Sequence, residues 1–311
     1  MNIQQRLNIK FPLVIDGGLS NELENQGCDL NHKLWTARLL DSHVQAIKNV
    51  HLNYMRAGAQ CIASASYQAS IPGLIENGYS KKEAKALLNK SIILVKETRE
   101  AYYKEKGKEE DVYIVASIGP YGAYKADGSE YRGNYGLSFN DLKEFHQERL
   151  EIFDKSVADI IAFETIPDKI EAEVIAELTM NCDKPCWVSF SCKDDQHISD
   201  GTPISKVANL FADHPSFFAI GANCIPPDFV PGIIASLKEY TKEKHIIIYP
   251  NSGGYYDSKG KKWYANNEKF ALKNHVDLWR KLGADIIGGC CKIGSSEIAE
   301  LKSHINSQKS S

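Results

Sequence analysis

A single (β/α)8 barrel, with helices packed around a ring of parallel strands, is the fold that this sequence predicts. Three observations predict it. Short apolar runs rich in Ile, Val, Phe and Ala recur eight times, several apolar throughout, as strands buried on both faces are. A longer amphipathic stretch follows each run, with helix start and stop signals. Polar residues gather where the runs end, the end at which such barrels build their sites. At 311 residues the chain has room for the ~250 that this fold typically needs. An open doubly wound sheet is the alternative for the same alternation.

The elements follow in order. The first strand, Leu13-Val14-Ile15, ends in Asp16-Gly17-Gly18, and a helix is expected over 42–57. The second, 61–63, ends in Ser64-Ala65-Ser66-Tyr67-Gln68. The helix after it, 80–106, opens with Ser80 and Glu83 spaced as a capping box. The third strand, 113–118, precedes a helix over 138–157, where Ser138 and Asp141 repeat that spacing. The fourth strand, 159–165, ends in Phe163-Glu164-Thr165 before a helix over 167–180. The fifth, 186–192, leads to a helix over 203–212, and the sixth, 217–223, ends in Asn223-Cys224 before a helix over 227–240. The seventh, 246–250, ends in Asn251-Ser252-Gly253 and precedes a helix over 267–282. The eighth, 285–288, runs into Gly289-Cys290-Cys291, and a last helix is capped by Ser295 and ends near 303. Gly58, Gly107 and Gly283 stand where a left-handed residue ends a helix. The polar tail from about 303 reads as loose, and residues 1–311 as one domain.

Composition narrows the function classes. With 43% hydrophobic and 25% charged residues the chain can bury a sizeable core. The net charge of −3, with basic residues scattered, gives no nucleic-acid-binding stripe. No apolar run reaches the ~18–20 residues of a membrane span. The start, Met1-Asn2-Ile3-Gln4-Gln5-Arg6, lacks the apolar core of a signal peptide. A cytoplasmic enzyme is therefore expected.

The eight cysteines are not expected to form disulfides without export. Cys61, Cys186 and Cys192 lie inside apolar runs and read as small buried hydrophobes. Cys224, Cys290 and Cys291 are different, because they close the sixth and eighth strands. Three thiolates and one open position suit a catalytic zinc ion, and Gly288-Gly289 leave the backbone free to turn both adjacent sulfurs toward it. The spacing contains no CxxC, so the residues alone leave other readings open. The thiols can be inert and buried, or the two glycines can cradle a phosphate in a barrel lyase or isomerase. That enzyme needs a lysine or an acid–base pair at strand ends, whereas Lys193 and Lys292 only flank them. A non-catalytic zinc- or thiol-binding protein is a third class.

On Asp16-Gly17-Gly18, Phe163-Glu164-Thr165, Asn223-Cys224 and Gly288-Gly289-Cys290-Cys291, in this order and spacing, the chain resembles the homocysteine S-methyltransferase family over nearly its whole length. Gly119-Pro120-Tyr121-Gly122-Ala123 and Asp127-Gly128-Ser129-Glu130-Tyr131-Arg132-Gly133 look like its branch using S-methylmethionine or S-adenosylmethionine. Betaine-using relatives carry a C-terminal extension not found in this sequence. The resemblance implies zinc-dependent methyl transfer from a sulfonium to the thiol of L-homocysteine, forming methionine. Selenocysteine as acceptor, or a betaine-type donor, are the variants on the same fold.

It also implies roles. Cys224, Cys290 and Cys291 hold Zn2+, with the fourth position left for substrate sulfur and no protein nucleophile. Glu164 binds the substrate ammonium, assisted by Asp16, while the amides of Gly17 and Gly18 face its carboxylate. Ser66, Asn223 and Asn251 complete the substrate-binding set. Period two places Ser64, Ser66 and Gln68 on one face, with Gln68 available to cover the metal. Aromatic faces attract a cationic sulfonium, so Trp35, Tyr121, Tyr131, Tyr255 and Trp263 are the candidate donor pocket. No nucleic-acid or membrane partner is expected.

Overall fold

The computed structural model describes residues 3–8, 12–241, 243–257, 262–264 and 270–308. Eight parallel strands form the ring: β1 (Leu13–Val14), β2 (Cys61–Ala63), β3 (Tyr113–Ile118), β4 (Ile160–Ile166), β5 (Cys186–Phe190), β6 (Phe217–Asn223), β7 (His245–Tyr249) and β8 (Ala284–Ile287). Their hydrogen-bonded order is β1-β8-β7-β6-β5-β4-β3-β2, and a parallel bridge from Ile15 to Cys61 brings β1 back to β2. The order never reverses, which excludes the doubly wound sheet. One helix follows each strand: α1 (Val44–Ala57), α2 (Lys81–Lys106), α3 (Phe139–Asp154), α4 (Lys169–Leu178), α5 (Ile204–Ala212), α6 (Val230–Tyr240), α7 (Val276–Leu282) and α8 (Ser295–Ser307).

The helix boundaries have local causes. Ser80 with Glu83 and Ser138 with Asp141 make reciprocal caps at α2 and α3, and Asp168 accepts from Ile170 and Glu171 at α4. Gly58, Gly107 and Gly283 take positive φ at the ends of α1, α2 and α7. At α8 the cap is Gly294, not Ser295; the Gly294 amide donates to Glu297 Oε2 at 3.0 Å. This helix runs past 303 to Ser307, because Ile298, Leu301 and Ile305 bury one face. The helix expected over 267–282 starts at Val276, after a 3-10 turn Leu272–Asn274; residues 267–269 and 309–311 lie outside the described residues. Short helices Leu19–Asn25, Ile71–Glu76 and Tyr121–Lys125 occupy the loops after β1, β2 and β3, where none was expected.

The ring separates two apolar clusters. The larger lies between strands and helices, with Ile62, Ile114, Phe163, Val188 and Ile248 facing outward. The smaller fills the ring with Leu13, Ile15, Cys61, Tyr113, Val115, Ile160, Ala162, Trp187, Ala219, Ile247 and Ile286, joined by Ile3 from the helix Ile3–Leu7. The inward face is thus apolar for most of each strand, and only its last position turns polar. The period of two carries Val115 to Ser117, Ala162 to Glu164, Trp187 to Ser189, Ala219 to Asn223 and Ile247 to Tyr249. That polar layer is the floor of the site. No described helix is long and apolar enough to cross a membrane.

Candidate active site and metal centre

A cavity of about 730 Å3 opens at the C-terminal ends of the strands. Asp16, Gly17, Gly18, Ser64, Tyr67, Ser117, Glu164, Asn223, Tyr249 and all three strand-end cysteines contribute to its lining.

The sulfurs of Cys224, Cys290 and Cys291 all lie within 4.8 Å of one another, and Cys224 Sγ is 3.3 Å from Cys291 Sγ. Cys224 sits at φ 51°, a left-handed conformation that non-glycine residues adopt only when the surroundings hold it. Its amide donates to Tyr249 O at 3.1 Å and the Asn251 side chain donates to its carbonyl at 3.2 Å. The Gly288-Gly289 pair works differently from the expectation. Neither glycine has positive φ; the left-handed residue of this turn is Lys292, at φ 64°. The glycines instead permit close approach, since a Cβ on Gly289 would lie 2.1 Å from Ile293 Cγ2. The Gly289 amide donates to Asp16 O at 3.0 Å and the Cys290 amide to Pro250 O at 2.8 Å. Tyr131 OH meets Cys224 Sγ at 3.2 Å.

Three thiols this close cannot all ionise alone. Hydrogen bonds from Cys290 and Cys291 hold the Cys224 thiol well below its usual range, while Cys290 and Cys291 are pushed up by sharing that charge. A divalent cation between them removes the conflict, and a set of soft sulfur donors is what zinc-like ions take. The cluster therefore fits a metal.

Beside it lies a carboxylate pair. Glu164 accepts from Ser117 Oγ through one oxygen and from Tyr249 OH, at 3.0 Å, through the other. Ser189 Oγ lies 2.5 Å from Tyr249 OH and donates to Asn223 Oδ1 at 2.7 Å. Asn223 also holds both the amide and the hydroxyl of Thr165, at 2.7 and 2.8 Å, and its Nδ2 is 3.9 Å from Cys290 Sγ. Asp16 accepts from the Ala63 amide at 2.8 Å. Burial raises the pKa of Glu164, with the Ser117 and Tyr249 hydrogen bonds opposing it. Burial likewise raises Asp16, against the Ala63 amide, and the nearby Glu164 adds to the rise. Among the described residues no Lys or Arg is hydrogen-bonded to either carboxyl, so a ligand ammonium would relieve both.

Not every expected residue reaches the cavity. The strand ends at Ala63 and the chain turns, so period two fails beyond it. Ser66 is fully buried and donates to Ser117 O, leaving Tyr67 in the lining with its hydroxyl bonded to Thr165. Gln68 lines the cavity, but its amide is committed to Lys33 O and Ala123 O rather than to the cysteines. Gly18 spends its amide on Ile293 O at 2.8 Å, so that amide does not face the cavity as expected. Asn251 braces the cysteine turn instead of lining the cavity. Tyr121 packs edge-on against Tyr124, Tyr135 and Phe145, outside it. Trp35 and Tyr131 do line it. Tyr255 and Trp263 lie on an antiparallel strand pair, Tyr255–Asp257 with Lys262–Tyr264; their side chains lie outside the described residues.

Ser117, Ser189 and Tyr249 lie inside the apolar runs and belong to no strand-end motif; the signal that finds them is the inward period of two carried to the end of each strand. Glu130, inside the loop motif after β3, also lines the cavity. Burial lifts its pKa to about 7.

Comparison with known proteins agrees with this geometry. Residues 13–305 match the family model described as homocysteine S-methyltransferase. The homocysteine S-methyltransferase of Escherichia coli is 41% identical over 93% of this chain and 94% of its own. A selenocysteine Se-methyltransferase of Brassica oleracea is 40% identical over 96% of this chain and 90% of its own. The crystal structure of the homocysteine methyltransferase MmuM from Escherichia coli, metallated form, superposes with a TM-score of 0.88 at 38% identity, covering 97% of this chain and 99% of that one.

Proposed function

The chain belongs to the homocysteine S-methyltransferase family, and we propose that it transfers a methyl group from a sulfonium donor to homocysteine at a zinc ion held by Cys224, Cys290 and Cys291. The observation that carries this reading is the convergence of three thiols beside two buried carboxyls that have no cationic partner among the described residues. Residues 1–311 then act as one homocysteine-binding domain.

When bound, zinc would supply the positive charge that lets the three cysteines and the substrate thiol all exist as thiolates. The chain's own groups do the rest. Glu164 and Asp16 take the α-ammonium of homocysteine, and the Gly17 amide faces its carboxylate. Asn223 ties the Thr165 amide and hydroxyl to the Cys290 sulfur. Tyr131 directs its hydroxyl at Cys224 and so orients that ligand. Trp35, Tyr67 and Tyr131 offer ring faces to a sulfonium, each worth roughly 0.5–2 kcal/mol. In the transfer the homocysteine sulfur forms the new S–CH3 bond as the donor's C–S bond breaks. That electron pair stays on the donor sulfur, which leaves as a neutral thioether. Alignment of the two substrates, and the water they displace from the cavity, would supply much of the acceleration.

The test is a set of initial rates with purified protein and homocysteine, offering S-methylmethionine, S-adenosylmethionine or betaine, alongside a metal assay. About one zinc per chain, and methionine formed fastest from a sulfonium, are the expected results. Betaine as the preferred donor, full activity without metal, or no methionine from any donor would overturn the proposal; the last outcome leaves a thiol- or zinc-binding protein. Selenocysteine is the second acceptor to try, favoured by the likeness to the Brassica enzyme.

A further inference from the structure

Two amino acids must share this cavity, and each carries an α-ammonium. The Asp16–Glu164 pair serves the acceptor. We propose that Glu130 is the donor-binding carboxylate and receives the α-ammonium of a sulfonium amino acid. This rests on the sulfonium-donor reading above.

Glu130 lies on the 3-10 turn Ser129–Tyr131 and lines the cavity. Its backbone is pinned. Ser191 Oγ donates to its carbonyl at 2.8 Å, and Gly122 approaches so closely that a Cβ there would lie 2.3 Å from the Glu130 nitrogen. The next residue, Tyr131, reaches the Cys224 sulfur, so the turn stands beside the thiols. The carboxylate is less provided for: Oε2 is buried with no hydrogen-bond partner among the described residues. Arg132, the base on the same turn, is directed elsewhere, to Asp127 O, Ser129 Oγ and Asp127 Oδ1. A buried carboxylate oxygen without a partner is costly unless a ligand completes it.

The chemistry decides which donor charge it meets. The sulfonium loses its charge during transfer, so a carboxylate against it would stabilise the ground state more than the transition state and slow the reaction. The α-ammonium keeps its charge throughout. A carboxylate there binds donor and transition state equally and lowers KM at no cost to kcat. Ring faces, which hold a cation weakly, are better suited to the sulfonium itself.

The experiment compares S-methylmethionine with its des-amino analogue, (3-carboxypropyl)dimethylsulfonium, in the wild type and in Glu130→Gln. Donor KM is measured by turnover and donor Kd by calorimetry. In the wild type, removing the amino group should weaken donor binding by ~10-fold or more, as loss of a charge-assisted hydrogen bond does. Glu130→Gln should bind S-methylmethionine about as weakly, and discriminate between the two donors little. Its kcat and its homocysteine KM should stay near wild type. Equal discrimination in both proteins, a loss confined to kcat, or a raised homocysteine KM would overturn the assignment. If Glu130→Gln fails to melt cooperatively, Glu130→Asp takes its place and should show intermediate discrimination. Failure of the wild type to use any sulfonium sinks the donor reading itself; turnover with unaltered discrimination sinks only the role of Glu130.

Discussion

Glu164 at the end of β4 and Glu171 in α4 are both buried carboxyls, yet their surroundings are opposite. Glu164 faces the cavity with hydroxyl partners only, and burial raises its pKa. Glu171 sits in the wall behind the cavity and is completed by the chain. His146 Nε2 lies 2.7 Å from one of its oxygens, which also accepts from the Tyr121 amide at 2.6 Å; Tyr135 OH donates to the other at 3.1 Å. Arg149 donates to His146 Nδ1 at 3.2 Å, so Nε2 carries the proton given to Glu171. The same guanidinium donates to Ala69 O and Gly119 O, tying down the loops after β2 and β3. One carboxyl has only hydroxyl partners among the described residues, and the other fixes the frame that presents it. Changes in the cavity should cost function and spare the fold. Changes in the wall should do the reverse.

The largest expected effect lies among the thiols. Cys290→Ala should lose the bound metal and slow methionine formation on the order of 10³-fold or more, ~4 kcal/mol, as elemental analysis and initial rates would show. Retained metal with full activity would break the division at its strongest point. Glu171→Gln comes next and belongs to the wall: it leaves Arg149 buried without its counter-charge and should cost about 3–5 kcal/mol of stability, read by denaturant unfolding. An unchanged midpoint would mean that the wall network carries no load. Glu164→Gln should raise the homocysteine KM roughly 10–100-fold, the worth of a hydrogen bond to a charged group. Its melting temperature should equal or exceed that of the wild type, because burial already disfavours the charged form.

The smallest effect is again in the wall. His51 in α1 is fully buried, with neither ring nitrogen partnered among the described residues, and burial pulls its pKa down to about 3. The unfolded chain therefore takes up a proton below pH 6.5 while the folded chain does not, so stability falls as pH drops through that range. By pH 5.5 this amounts to about 1–1.5 kcal/mol. Thermal melts of His51→Leu between pH 7 and 5 should show a shallower slope than the wild type. An equal slope would remove His51 from the account.

Legibility in the sequence followed how local each feature is. β2, β3 and β6 coincide with their apolar runs, because strands buried on both faces carry no competing signal. The three thiols were legible because cysteines at strand ends have few packing reasons to be there. Ser66 and Tyr67 exchanged roles because alternation holds only while the strand lasts, and the backbone turns after Ala63. Tyr121 is drawn into an aromatic cluster by helix α3, a tertiary contact that its loop does not announce. Glu130 was visible only as part of a family motif. Its missing partner is a property of packing, which composition and spacing do not record.

The seam between β1 and β8 has a consequence for how the protein is made. The Asp16 carbonyl and the Gly289 amide meet across this seam, and β8 is the strand that fits between β7 and β1. As the ribosome delivers the chain, Asp16 emerges early and Cys224 later, and for a time neither has its neighbours. The tripod of sulfurs comes into being only when β8 slots home, because Cys290 and Cys291 ride directly behind it. Any ion that the three sulfurs take would then be loaded last, by a barrel that has already closed.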